Sequence, residues 1–192
     1  MAALCLAAGL STRQFYEEFR GLEDVLATLY QQINEEAERA ALTALAEVAD
    51  GSLERRAGAA FRAYAGAVTG DPRRVRIAFV EIVGASTGLE AARLARRARW
   101  GELIRAQAAA AACRGEAAAR DYRITATAFI GAVNGLLHDW SAGQVDATLE
   151  EVVEELVRML VAALRTDDCR QHGQERPPGA QPGAGARAGS PG

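Results

Sequence analysis

Between Thr148 and Thr166 apolar residues return at helical spacing. Leu149, Val152, Val153, Leu156, Val157, Leu160, Val161 and Leu164 fall on one face, and Glu150, Glu151, Glu154, Glu155 and Arg158 on the other. Thr148 and Glu151 have capping-box spacing at its start. A second long stripe, Leu22, Val25, Leu26, Leu29, Tyr30, Ile33 and Ala37, predicts a helix from Leu22 to about Val48, ended by Asp50-Gly51. Between these two lie four more predicted segments. Ser52 opens one that reaches Val68, and Thr69-Gly70-Asp71-Pro72 turns the chain into a segment from Arg73 to Gly84. Ser86 or Thr87 caps a helix through Cys113, with Glu90 at capping-box distance from Thr87. Ala117 to Trp140 is apolar on nearly every side, so burial against several neighbours is expected. No alternating β-branched run bounded by turn residues occurs, and the expected class is all-α.

Near the N-terminus two short helices are predicted, Ala2 to Ala8 and one capped by Ser11 with Gln14 three residues on. Gly9 permits the tight turn between them, and such a pair is a helix-turn-helix. Thr12, Arg13 and Gln14 then occupy the first turn of the second helix, where such units touch bases. Phe15 and Phe19, at i and i+4, are expected to face inward, and Tyr16 to flank the unit.

The 192-residue chain is 49% hydrophobic with a net charge of −3, so no global basic field draws it to nucleic acid. All 22 basic residues are Arg, and Ala is abundant, as in genomes of high GC content, so each Arg carries reduced weight as a functional signal. Cys5, Cys113 and Cys169 are far apart and show neither metal nor disulfide spacing. No signal peptide and no apolar run of bilayer length is present, and a soluble, cytoplasmic protein is expected. The tail, residues 167–192, is rich in Pro and Gly and has little to bury.

The run A-G-L-S-T-R-Q-F-Y-E-E-F, followed by L-E-D-V-L-A-T-L-Y, resembles the TetR family of transcription repressors. The likeness spans Ala2 to about Tyr30; later helices are similar in length, order and apolar pattern only. It implies a partial DNA-binding domain in residues 1–30 and a helical effector-binding and dimerisation domain in residues 31–166. The implied DNA contacts are Ser11, Thr12, Arg13, Gln14, Tyr16 and Arg20. Arg13 would read guanine and Gln14 adenine; a solvated surface turn is the plainer alternative. The family has a further helix before the motif. An in-frame upstream extension of type A-A-x-x-L-F is therefore expected, without which Leu4, Phe15, Phe19 and Leu26 lose apolar cover. Residues 1–30 also hold two Arg against Glu17, Glu18, Glu23 and Asp24, which opposes phosphate binding.

Effector-pocket candidates are Phe61, Tyr64, Phe79, Glu81, Trp100, Tyr122, Thr125 and Asn134: aromatic residues and isolated polar groups inside apolar helices. Glu81 reads more readily as half of a structural ion pair or as a rim residue, and Arg93, Arg96, Arg97 and Arg99 as a solvated face. The resemblance implies that the last two helices form a two-fold dimer, through Ile130, Val133, Leu137, Leu149, Val153, Leu156 and Leu160. Gly131 and Gly135 would let helices approach closely. Thr127, His138 and Asp139 are further polar interruptions. Neighbours such as His138 and Asp139 do not face each other on a helix, no nucleophile stands at a recognisable spacing, and there is no metal cluster or phosphate loop. The expectation is a non-enzymatic, cofactor-free regulator. As a homodimer it binds palindromic double-stranded DNA and is released by a small-molecule effector. A DNA-binding-deficient helical dimer that holds a ligand or partner is the alternative.

Overall fold

The computed structural model describes residues 1–165, and the tail expected at 167–192 lies outside them. The described residues form eight α-helices and one π-helical segment, with no strand. The helices are α1 Ala2–Ala8, α2 Thr12–Glu18, α3 Leu22–Glu47, α4 Leu53–Thr69, α5 Pro72–Arg76, α6 Thr87–Cys113, α7 Arg123–Ser141 and α8 Leu149–Arg165, with Ile77–Glu81 as the π segment. α3 is a single unbroken 26-residue helix, so the boundary expected at residue 30 falls inside it. No described helix is long and apolar enough to cross a membrane.

The body is built on α4, α7 and α8. Leu137, Leu156 and Val153 are fully buried there, alongside Leu53, Phe129, Val133 and Leu160. The α8 stripe thus packs on α4 and α7 of its own chain. This corrects the expected dimer seam. Ile130, Val133, Leu137, Val153, Leu156 and Leu160 are buried within the subunit, and Leu149 packs partly buried on the same core. A side chain already enclosed by its own subunit offers no apolar area to a second copy.

Two element boundaries differ from expectation, each for a physical reason, and at a third the structure selects Ser86 from the two expected caps. Residues 117–122 are not helical, and α7 begins only at Arg123. Their polar groups serve α8 instead: the Ala118 N–H donates to the Leu164 carbonyl at 3.0 Å, and the Tyr122 hydroxyl to the same carbonyl at 3.1 Å. They satisfy an orphan carbonyl at the helix end. Ser86 caps α6 through the Leu89 N–H at 3.1 Å, so Thr87 is the first helical residue and Glu90 bonds Arg93 rather than Thr87. The segment Arg73 to Gly84 splits into α5, capped by Asp71, and the π segment. A π turn brings residues i and i+5 together, and Arg76 and Glu81 pair at 2.5 Å. Glu81 is therefore an exposed ion-pair partner and no part of a pocket.

Candidate functional sites

The two-helix unit forms from local chemistry. Gly9 adopts a left-handed conformation, φ 67°, which glycine enters without steric cost, and its N–H closes α1. The Ser11 hydroxyl accepts from the Gln14 N–H at 3.2 Å, while Gln14 Oε1 accepts from the Ser11 N–H at 2.9 Å, completing a capping box. Phe15 is buried, and Phe19, at the C-cap, is half-buried. The two rings stand 5.6 Å apart, and Tyr16 meets Phe15 edge-on at 5.3 Å. Phe15 thus keeps its cover, whereas Leu4, Leu6 and Leu10 are exposed.

On the outer face Ser11, Thr12, Arg13, Tyr16 and Arg20 are all exposed. Arg13 is held by Glu17 one turn on, at 3.0 Å, yet its side chain remains 89% accessible. Gln14 lies on the same turn, with its side chain engaged in the cap. Its carbonyl oxygen is spent on the Ser11 N–H and hydroxyl, so only the amide NH2 is left for a base edge. The bidentate reading of adenine needs both ends of that amide.

Two adjoining cavity lobes, with part of their walls in common, lie in the body. The first, of about 120 Å³, is walled by aliphatic residues of α3, α4, α6 and α8, such as Leu45, Leu53, Leu103, Ile104 and Leu160. Phe61 also lines it, packed edge-on against Phe129 at 5.2 Å. Buried Arg56 reaches it too, but its guanidinium is taken by the Gly51 carbonyl and by Glu116. Two guanidiniums beside it, Arg56 first and then Arg114, hold the Glu116 carboxyl below its ordinary range. The second lobe, of about 110 Å³, lies between α3, the π segment and α6, and Tyr30, Asn34, Phe79, Arg93, Arg96 and Arg97 line it. Tyr64, Trp100, Ile130 and Asn134 border both lobes.

Of the expected pocket residues, Phe61, Tyr64, Phe79, Trp100 and Asn134 meet here, and three do not. Tyr122 is buried as the brace across α8, and Thr125 accepts from Arg120 at 3.1 Å. Glu81 faces outward. Neither Tyr122 nor Thr125 lines a lobe. Sequence reasoning missed Asn34, whose signal is a lone amide within the apolar stripe of α3. The Trp100 indole N–H donates to Asn34 Oδ1 at 3.2 Å, and Asn34 Nδ2 donates to the Tyr30 carbonyl one turn earlier at 2.9 Å. Trp100 also meets Tyr64 edge-on at 5.0 Å. A wall of the cavity is thereby hydrogen-bonded to the helix that leads from the two-helix unit. Burial pushes the Tyr30 phenol up, opposed by Arg93, Arg96 and Arg97. The Tyr64 phenol is pushed up by burial, then by the neighbouring Tyr30.

The arginine run of α6 corrects the expected solvated face: Arg93, Arg96 and Arg97 are half-buried beside the second lobe, and only Arg99 is exposed. Arg93 bonds Glu90 at 2.6 Å, and Glu38 of α3 holds both Arg96 at 3.0 Å and Arg99 at 2.6 Å. His138 and Asp139 correct another expectation. His138 Nδ1 lies 2.9 Å from Asp139 Oδ1, although the two are adjacent on α7. The Ser141 hydroxyl beside them donates to the His138 carbonyl. Thr127 is exposed and donates to the Arg123 carbonyl at 2.9 Å. Among the described residues no group of His, Cys, Asp or Glu is placed to hold a metal ion.

No protein-family model and no curated protein sequence matches the chain. A solved structure of a protein with unknown function from Rhodococcus sp. RHA1 is similar, with a TM-score of 0.64 at 19% identity over 85% of this chain and 83% of that one. At that identity the likeness shows a shared helical fold and nothing of function.

Proposed function

We propose that the protein is a TetR-type transcriptional regulator that binds palindromic operator DNA as a homodimer and releases it on binding a small molecule. The observation that carries this reading is the capped two-helix unit. Its second helix turns Thr12 and Arg13 outward from a base fixed by Phe15, the geometry that places side chains on base edges. The link between cavity and unit supports it. A ligand between Trp100 and Tyr64 displaces the indole held by Asn34, and any shift of Asn34 moves α3 and the unit before it. Coupling of this kind is typically worth about 1–3 kcal/mol. The mechanism needs no bond-making step.

In this reading the dimer uses a face other than the expected one. Ile124, Ala128, Gly131 and Gly135 of α7 are exposed and recur at i, i+4, i+7 and i+11, one stripe of the helix. A Cβ at either glycine would meet nothing, so the stripe is open to a partner helix, with exposed Met159 of α8 a further apolar residue.

Selection of bound duplexes from a random pool by the full chain tests the proposal. Enrichment of palindromes with half-sites about one helical turn apart is expected, and it should vanish with Arg13→Ala. Recovery of unenriched sequence would leave the second reading, a ligand-binding dimer without DNA contact. The Arg13–Glu17 pair and the four carboxylates facing two Arg in residues 1–30 favour that second reading.

A further inference from the structure

We infer that the cavity takes an amphiphilic anion, its apolar body in the first lobe and its carboxylate or phosphate head in the second, against Arg97. The inference deepens the reading of this cavity as an effector site. The two lobes adjoin, with Tyr64, Trp100, Ile130 and Asn134 as common walls, and the proposed ligand passes these side chains from one to the other. Their chemistries differ sharply. Leucine and isoleucine side chains dominate the first, whereas three arginines line the second.

The charges on the α6 face beside the second lobe do not balance. Arg93, Arg96, Arg97 and Arg99 face two carboxylates: Glu90 takes Arg93, and Glu38 is divided between Arg96 and Arg99. Arg97 is half-buried, and no described residue gives it an ion pair or hydrogen bond. It stands one turn from Arg93 on the same face, a like-charge spacing that costs helix stability. No nitrogen of its guanidinium is sealed off by protein, so a bound anion can reach it and supply the missing partner. Its planar fork fits two oxygens of a carboxylate or phosphate at once. Neutral donors accompany it: Tyr30 and Tyr64 present phenols, and the Asn134 amide has no hydrogen-bond partner among the described residues. A cationic amphiphile would meet excess positive charge there, and a neutral one would gain nothing from Arg97.

Calorimetric titration of the full chain without DNA tests this, using four ten-carbon probes: decanoate, decyl phosphate, decanol and decyltrimethylammonium. At least one anion should bind about tenfold or more tighter than decanol, the scale of a charged hydrogen-bonded pair, and the tighter anion identifies the head. Arg97→Gln should bring that anion to within a few-fold of decanol and leave decanol itself unchanged, which also reports that the variant is folded. If the variant does not fold, the ranking of the four probes on the wild-type chain decides alone. Equal or tighter binding of decanol or the ammonium overturns the inference, as does no binding by any probe, or a folded Arg97→Gln that keeps the anion preference. Anion binding that leaves DNA affinity unchanged would strike the regulator reading and spare the ligand class.

Discussion

In α1 and α2 two side chains are buried, Cys5 and Phe15, whereas α7 and α8 bury five and six respectively. The N-terminal unit is held by neighbours in sequence: the Ser11–Gln14 box, the left-handed Gly9 and the Arg13–Glu17 pair all span four residues or fewer. The body is held across the chain, by Arg56 to Glu116, Tyr122 to Leu164 and the α8 stripe on α4. Local hydrogen bonds form cheaply and also break singly. A nonlocal core opens only as a whole, because loop-closure entropy has already been spent on bringing its parts together. A reading head of low local stability attached to a cooperative body lets a small rearrangement in the body reposition the head without unfolding the rest.

The largest expected effect is therefore in the body. Leu156→Ala removes a side chain that is 1% exposed and should cost about 2–5 kcal/mol of unfolding free energy, read from urea denaturation. A loss under 1 kcal/mol would mean that the α8 stripe is covered less completely than the subunit core requires. Asn34→Ala lies between the two regions. It leaves the partly buried Trp100 N–H without its acceptor and should cost about 1–3 kcal/mol. The sharper readout is coupling. Ligand affinity should stay within a few-fold, while the ligand's effect on DNA affinity disappears. If the variant still responded fully, the route from cavity to α3 would not run through this amide.

The same contrast explains what could be read from sequence. The caps of α2 and α8 were legible because both partners stand within three residues. So were Phe61, Tyr64, Trp100 and Asn134, since large rings and a lone amide on apolar helices have few other uses. The start of α7 was not legible: residues 117–122 favour helix locally, and only their bonds to Leu164 and the end of α8 make another course cheaper. Periodicity showed that one face of α8 is buried but not what buries it, and hence the stripe was assigned to a second copy. Leu22 and Leu29, both on the α3 stripe, face solvent for the same reason. Arg97 was lost within a basic run whose neighbours find carboxylates on other turns and other helices, which spacing alone cannot reveal.

Ser11→Ala probes the other side of the comparison. It removes a cap worth about 1 kcal/mol, but the loss should fall on α2 alone. Amide exchange in residues 12–19 should speed up while the urea midpoint of the body barely moves, and any DNA affinity should fall with the order of α2. A shift of the global midpoint as large as that of Leu156→Ala would show that unit and body unfold together, and would remove the distinction drawn above.

The smallest effect separates a local cap from the core even inside the body. Glu151 accepts from the Thr148 N–H at 2.7 Å and from its hydroxyl at 2.8 Å, and these bonds, the backbone one first, hold its carboxyl below the ordinary 4.5. A carboxyl lowered by folding stabilises the fold above its unfolded value, and that contribution is lost as pH falls through the folded one. Protection of the first-turn amides of α8 should therefore decline below about pH 4.5, with Leu156 and Leu160 still packed. Glu151→Gln keeps an acceptor but has nothing to protonate, so its first turn should show a flat profile over the same range. Asp71, the cap of α5, sets an internal standard: the Arg73 guanidinium and N–H lower it to about 2, so α5 should hold its cap to more acid pH than α8. If the two caps loosened together, and together with the core, acid would be acting on the whole fold, and the Thr148–Glu151 box would have no separate stability to measure.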